Sequence, residues 1–127
     1  MPEYAHDVDA GMDIRCREDT WILANSSALF DTGVHVQIPK GYFGKLESKS
    51  GLNCRKNIES AGGVIDCGYT GSIVVKLWNH SNVNHLFKAG DKIVQMIILP
   101  CEHPELVQVD DLEETERGNG GFGSTGR

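Results

Sequence analysis

Short apolar runs, separated by glycine, proline, asparagine and aspartate, occupy most of this chain. Such runs are typical of β-strands linked by tight turns. In residues 72–78 the side chains of Ile73, Val75 and Leu77 share one face, which is the two-residue period of a strand. We therefore predict short strands at residues 12–16, 21–23, 29–38, 43–49, 72–78, 92–99 and 106–109.

The remaining patterns complete an all-β prediction. Residues 93–99 are almost continuously apolar, so we expect this strand to be buried on both faces, with Gln95 as the exception. Gly90-Asp91 predicts a hairpin turn. Residues 52–57 favour a helix that is too short to be stable alone. Many short strands with frequent turns indicate a sandwich or a jelly roll, and periodicity does not separate these two folds.

Size and charge restrict the kind of partner. The 127 residues suit a single domain, and the formal net charge of -6 provides no long-range basic field for duplex DNA or RNA. We therefore expect no direct nucleic-acid binding. A small anionic ligand is compatible with this charge, because a few basic side chains, backbone N–H groups and a metal can hold it.

The four cysteines and the hydropathy indicate the compartment. Cys16, Cys54, Cys67 and Cys101 form no CxxC pair, so free thiols in a reducing, cytoplasmic compartment are favoured over a zinc site or a disulfide framework. No apolar stretch approaches the ~18–20 residues that span a membrane. The N-terminus has neither the basic nor the apolar region of a signal peptide.

The C-terminal part changes in character. Residues 110–116 are strongly acidic, and residues 117–127 are rich in glycine. A segment with so little to bury should be mobile in isolation. We therefore divide the chain into a β-domain at residues 1–116 and a flexible arm at residues 117–127.

Two segments in the first half of the chain contain residues that suit phosphate chemistry. Residues 10–14 place Asp13 at the start of a strand, where a turn-capping role is the alternative. Residues 44–53 lead from a strand into the predicted helix. There Ser50 and Gly51 would let a phosphate approach unpaired N–H groups, and Lys49 adds a positive charge. An ordinary serine N-cap is the alternative for this segment.

Two further segments contain an acid and an amide in apolar surroundings. In residues 62–71, Asp66 could orient and deprotonate a water, and the ring of Tyr69 could form a flat wall for a sugar or base. An Asx-turn with a packing tyrosine is the alternative. In residues 89–96, Gln95 requires buried partners inside an apolar strand, so it is either a ligand contact or a satisfied interface amide.

The fifth segment, residues 117–126, combines an arginine, one phenylalanine and two hydroxyls with many bare N–H groups. It lacks the Gly-Lys-Ser/Thr ending of a P-loop. Such a segment could close over a nucleotide and stack on its base. An RNA-binding Arg-Gly-Gly tail is the alternative, and one short copy on an acidic chain disfavours it.

In this order and at these intervals, the five segments resemble the five motifs of the trimeric dUTPase family. The fifth matches Arg-Gly-x-Gly-Gly-Phe-Gly-Ser-Thr-Gly at every fixed position, and the third matches Gly-Val-Ile-Asp-x-x-Tyr-x-Gly. The resemblance covers nearly the whole chain. It implies a distorted jelly-roll β-barrel with one short helix and a homotrimer whose active sites each draw on three chains.

The resemblance also implies a reaction: Mg²⁺-dependent hydrolysis of dUTP to dUMP and pyrophosphate by water attack on the α-phosphorus. This limits uracil in DNA and supplies dUMP for dTMP synthesis. Asp66 resembles the acid that activates the water, and Asp13 resembles the acid that orders the waters of a magnesium held mainly by the triphosphate. The implied substrate-binding residues are Lys49, Ser50, Gly51, Gly63, Val64, Ile65, Tyr69, Gln95, Arg117, Phe122, Gly123, Ser124 and Thr125.

Within that set, Tyr69 would lie under the deoxyribose and exclude a ribose 2′-OH, while main-chain groups of a hairpin at residues 61–65 would bind uracil. Arg117 and the hydroxyls of the arm would bind the γ-phosphate, with Phe122 over the uracil.

This chain departs from the family pattern at four places. Lys49 replaces an arginine, Gly68 replaces a frequent second acid, Thr70 replaces an arginine, and the strand that precedes the position of Pro2 in relatives is missing. Lysine keeps the charge and loses the bidentate fork. We expect the N-terminal part of the sheet to be built differently.

Two alternatives have different chemistry or none. A dCTP deaminase relative on the same fold would lack the fifth motif. A trimeric signalling protein would keep the nucleotide pocket as a switch that another protein could read. The complete arm and Asp66 favour the hydrolase.

Overall fold

Nine short strands and one helix make up the regular structure of residues 1–121, the part of the chain that the computed structural model describes. The strands are β1 (Met12–Arg15), β2 (Thr20–Ile22), β3 (Ser26–Asp31), β4 (Tyr42–Glu47), β5 (Ile58–Ala61), β6 (Val64–Ile65), β7 (Val74–Asn79), β8 (His85–Phe87) and β9 (Lys92–Pro100). The helix α1 (Ser50–Lys56) follows β4 and begins two residues before its predicted position. The all-β prediction is confirmed.

Three antiparallel sheets form, and neighbours in a sheet are mostly distant in sequence. The four-stranded sheet has the order β1-β9-β4-β6, the three-stranded sheet has the order β3-β7-β5, and β2 pairs with β8. Such long-range crossovers are typical of a jelly roll, and they resolve the choice that periodicity left open.

The core lies between these sheets and follows the predicted alternation. In β7 and the residue before it, Ile73, Val75 and Leu77 are buried while Val74 and Lys76 are exposed. The first half of β9 is buried on both faces, as predicted. Its second half is less buried than predicted: in the single chain, Ile97 and Leu99 are partly exposed where they pair with β4.

One predicted strand is too long, and another does not form. The strand expected at residues 29–38 ends at Asp31, because Gly33 takes a φ of +65° and turns the chain away from the sheet. No strand forms at residues 106–109 within the described part of the chain, where Leu106 and Val107 are 93% and 72% exposed. This apolar segment pairs with no strand in the part of the chain that the structure describes.

The turn at Gly90-Asp91 forms, with the Asp91 N–H donating to the Lys88 oxygen at 2.9 Å. The hairpin does not, since β8 and β9 lie in different sheets. The strands β5, β6 and β8, of two to four residues each, are not predicted by the sequence analysis.

All four cysteines are free thiols in the structure. Among residues 1–121, no helix has the length and apolar composition that crossing a membrane requires.

Candidate active site

A carboxylate between two lysines lies at the edge of the four-stranded sheet. Asp13 in β1 is buried and faces Gln95 across the β1–β9 pair. Lys49, which lies between β4 and α1, donates to one oxygen of Asp13, and the Lys92 Nζ lies 2.7 Å from the other. Asp13 is therefore part of an ion-pair cluster and does not cap a turn.

Lys92 is a site residue that the sequence analysis missed. It opens β9, where the strand register pairs it with Arg15, two residues along β1 from Asp13, and the sequence does not reveal that register. Its ammonium also lies 3.7 Å from Glu3, and Glu3 pairs with Arg15. The cluster thus joins the chain's N-terminal segment to the first, second and fourth motif segments.

The charges of this cluster shift two pKa values in opposite directions. Burial alone would raise the pKa of Asp13, but hydrogen bonds from Lys49 and Lys92 outweigh burial and lower it below 3.8. The hydrogen bond with Asp13 raises the pKa of Lys92 above 10.5. Both groups are therefore charged at neutral pH, and Asp13 stays a carboxylate.

Acid should destabilise the fold through Asp13. Because its folded-state pKa lies below the ordinary 3.8, the stabilisation is fully present above that pH and is lost as the pH falls through the lowered pKa. In Asp13→Asn this contribution is absent, so the free energy of unfolding should fall less steeply between pH ~5 and ~2. Urea unfolding at a series of pH values measures both slopes.

Asp110→Asn, on the exposed acidic segment, is the matched control and should keep the wild-type slope. Equal slopes for the wild type and Asp13→Asn would contradict the assigned ion-pair cluster.

The second motif segment opens α1. Lys49 occupies the N-cap position without a side-chain capping hydrogen bond, so the serine N-cap alternative is wrong and Ser50 is the first helical residue. Ser50 and Gly51 are exposed, and a Cβ added at Gly51 would meet no atom within 4 Å. The first N–H groups of a helix lack intrahelical partners, so this end is open to an anion.

Gln95 connects the second and fourth segments. Its Nε2 donates to the Ser48 oxygen at 3.2 Å, and its Oε1 lies beside Gly11. A Cβ at position 11 would come within 2.7 Å of that oxygen, so a larger residue there would displace the amide of Gln95. The side chain of Gln95 is only partly buried.

The third motif segment lies on the other side of the same sheet. The strand β6 pairs with β4, and the Leu46 N–H donates to the Gly63 oxygen at 2.8 Å. Gly63 has a φ of +130°, and an added Cβ would lie 2.7 Å from the Leu46 Cβ, so only glycine fits. The expected hairpin at residues 61–65 is instead a turn between sheets, since β5 pairs with β7.

Asp66 directly follows β6 and is exposed. Within residues 1–121 its carboxylate has no hydrogen-bond or ion-pair partner; only its backbone oxygen accepts, from the Tyr69 N–H at 3.0 Å. The Asx-turn alternative is therefore wrong. The ring of Tyr69 is 43% exposed, and its hydroxyl donates to the Ser72 backbone oxygen at 2.8 Å.

A single chain does not bring all these groups together. The strands β1 and β6 are the two edges of the four-stranded sheet. Three strand spacings separate them, which is roughly 14 Å. Asp13, Lys49 and Gln95 therefore meet at one edge, while Asp66 and Tyr69 lie at the other.

Of the fifth motif segment, the structure describes only residues 117–121. Arg117 is exposed, and its Nε donates to the Gly120 oxygen at 2.8 Å within a local turn. The predicted site residues Phe122, Gly123, Ser124 and Thr125 lie outside the described residues.

Residues 1–121 contain no group of three or more histidine, cysteine, aspartate or glutamate side chains that could hold a metal. Both oxygens of Asp13 contact lysines. A magnesium ion at this edge would therefore need most of its ligands from phosphate oxygens and waters.

The whole chain is similar to one family of enzymes. Residues 1–126 match the dUTPase family. The deoxyuridine 5'-triphosphate nucleotidohydrolase of Solanum lycopersicum is 40% identical, over 99% of this chain and 75% of the relative. The protein of the same name from Clostridium tetani is also 40% identical, over 100% of this chain and 89% of the relative.

Solved structures agree with the sequence matches. The dUTPase of Staphylococcus bacteriophage 80alpha, solved with dUpNHpp, superposes with a TM-score of 0.88 at 34% identity and covers 100% of this chain and 92% of the phage chain. A mutant dUTPase from phage phi11 of S. aureus, described with a structural Mg(II) ion, has a TM-score of 0.82 at 30% identity and covers 90% and 92%. The chain belongs to the dUTPase family.

Proposed function

We propose that this chain is a dUTP diphosphatase, which hydrolyses dUTP to dUMP and pyrophosphate by water attack on the α-phosphorus. The observation that carries the proposal is Asp66, an exposed carboxylate without a partner among residues 1–121, set beside Tyr69 at the end of β6. Such a carboxylate is available to take a proton from water. The reaction would limit uracil in DNA and supply dUMP for dTMP synthesis.

The residues around Asp66 would bind the nucleoside. Main-chain groups of Gly63, Val64 and Ile65 offer donors and acceptors for uracil, and the tight approach of Gly63 to Leu46 supports a narrow pocket that rejects a methyl group. The ring of Tyr69 would lie under the deoxyribose. A hydroxyl at C2′ would then collide with this ring.

The opposite edge of the sheet would bind the triphosphate. Lys49, the open start of α1 at Ser50 and Gly51, and the amide of Gln95 supply one charge and several hydrogen-bond groups. When the substrate binds, Lys49 would leave Asp13 and pair with a phosphate oxygen. Lys92 would remain paired with the Asp13 carboxylate. Bound Mg²⁺ would neutralise phosphate charge, and Asp13 would orient its waters.

Residues 117–127 would act as an arm that closes the site. Arg117 and the hydroxyls of Ser124 and Thr125 would bind the γ-phosphate, Gly123 would contribute its N–H, and Phe122 would stack on the uracil. Closing the arm excludes bulk water and completes the set of phosphate ligands. The reaction needs no covalent nucleophile, so the cysteines take no part, and their free thiols support a reducing, cytoplasmic location.

A homotrimer would assemble the site from three copies of the chain. Because Asp66 and Asp13 lie at opposite edges of one sheet, a second chain is needed to bring the base beside the phosphates. The exposed apolar residues at 106–109 support a further contact, since this segment has strand-forming side chains but pairs with no strand among residues 1–121.

Pyrophosphate release from dUTP, UTP, dCTP and dTTP, measured side by side with Mg²⁺, tests the activity. We expect turnover of dUTP and little turnover of the other three. Ammonia release from dCTP would identify a deaminase instead, and binding of dUTP without turnover would identify a signalling protein.

In solution the protein should have three times the 13.9 kDa mass of the chain, because one chain does not contain a whole site. Light scattering measures the mass. Co-refolding Asp66→Asn with a chain that lacks residues 117–127 gives a sharper result, since mixed trimers contain sites in which every motif is intact. Activity should return in the mixture. A fully active monomer, or no recovery in the mixture, would contradict shared sites.

A further inference from the structure

The segment at residues 31–35, which follows β3 and belongs to none of the five motifs, is bound along its length to the turn that contains Tyr69. The Thr32 N–H and hydroxyl both donate to the Ile73 oxygen, at 3.1 and 2.8 Å. The Ile73 N–H donates to the Val34 oxygen at 2.8 Å. His35 Nδ1 donates to the Thr70 oxygen at 2.9 Å. These hydrogen bonds hold residues 69–73 and residues 31–35 together.

The ring of Tyr69 is fixed at two points of this turn. Its hydroxyl donates to the Ser72 backbone oxygen at 2.8 Å. Its edge packs on Gly71, where an added Cβ would lie 2.6 Å from the hydroxyl oxygen. The orientation of the ring thus follows the position of the backbone at residues 71–72.

Asp31 holds that backbone. One of its carboxylate oxygens accepts from the Ser72 hydroxyl and from the Gly33 N–H, the latter at 3.1 Å. The Gly33 N–H also reaches the Ser72 Oγ at 3.0 Å. The hydrogen bond from Ser72 lowers the pKa of Asp31, with smaller contributions from the Gly33 N–H and from Arg17, so the carboxylate accepts both bonds at neutral pH.

We propose that Asp31 is a positioning residue for sugar discrimination: through Ser72 it holds the ring of Tyr69 where that ring excludes a ribose 2′-OH. The inference rests on the proposed function, because it assigns a role to the wall of that same site. A loosened turn would let the ring move away from C2′. Discrimination against the ribonucleotide would then fall, while the phosphate-binding edge of the sheet stays unchanged.

The test compares kcat/KM for dUTP with kcat/KM for UTP in the wild type, Asp31→Ala and Ser72→Ala. Where UTP turnover is too slow to measure, the ratio of the inhibition constants of UMP and dUMP gives a separate, binding-based measure of the sugar preference. Both variants should lower the preference for the deoxy sugar by about threefold to tenfold, the effect of losing one hydrogen bond. Asp31→Asn should retain most of the preference for the deoxy sugar, because the amide oxygen can still accept the hydrogen bonds from Ser72 and Gly33.

Asp19→Ala is the matched control. Asp19 accepts a backbone hydrogen bond from Ala89 at 2.8 Å in a turn that has no contact with Tyr69, so its loss should leave the sugar preference unchanged. If Asp31→Ala does not fold, Ser72→Ala decides. An unchanged preference in the folded variants would overturn the inference, whereas a wild-type protein that releases no pyrophosphate from dUTP would overturn the proposed function itself.

Discussion

Asp66→Asn should lower kcat for dUTP by about 10²–10⁴-fold, the usual cost of losing a general base. Aspartate and asparagine have nearly the same shape, but the amide does not accept the proton of the attacking water. Because the carboxylate has no structural partner among residues 1–121, the substitution should leave the fold and the affinity for dUTP unchanged. Pyrophosphate release gives the rate, and calorimetric titration with a non-hydrolysable dUTP analogue gives the affinity.

Cys67→Ser, at the next residue, is the matched control. Cys67 is partly buried against the core, and serine has almost the same size. Its turnover should equal that of the wild type, because water attack uses no thiol. A near-wild-type kcat in Asp66→Asn would remove Asp66 from its role, and a large loss in Cys67→Ser would indicate a covalent mechanism.

The fold was predictable wherever a strand is long enough to show its period. The alternation in β7 and the apolar run in the first half of β9 both predicted burial from the sequence. The two residues of β6 contain no period, so their pairing with β4 came only from the structure. The strand predicted at residues 29–38 was too long, because the sequence does not show that Gly33 takes a positive φ.

The site was predictable in its residue types and unpredictable in its contacts. Three kinds of segment could be identified from local composition: one with a catalytic acid, one with an aromatic wall for a sugar or base, and those that suit phosphate binding. The pairing of Lys49 with Asp13 joins residues 36 positions apart, and the pairing of Lys92 with Asp13 depends on strand register. The separation of Asp66 from Asp13 follows from strand order, which local patterns do not specify.

Deleting residues 117–127 should lower turnover of dUTP by at least about 10²-fold, the typical cost of losing groups that stabilise developing charge. The deletion removes Arg117, the proposed ligand of the γ-phosphate, and the proposed arm that excludes water. The fold should survive, because no residue of the core lies in the part of this segment that the structure describes. Thermal unfolding and light scattering verify the fold, and pyrophosphate release gives the rate.

Smaller changes separate the contributions within the arm. Arg117→Lys keeps the charge and loses the bidentate fork, so its turnover of dUTP should lie between that of the wild type and that of Arg117→Ala. Phe122→Ala should act in the same direction as the deletion but less strongly, since base stacking contributes roughly 1–3 kcal/mol. Removing Arg127 alone, which lies outside the region matched to the dUTPase family, is the control and should preserve the full rate. A truncated protein that turns over dUTP at the full-length rate would show that residues 117–127 are no part of the active site.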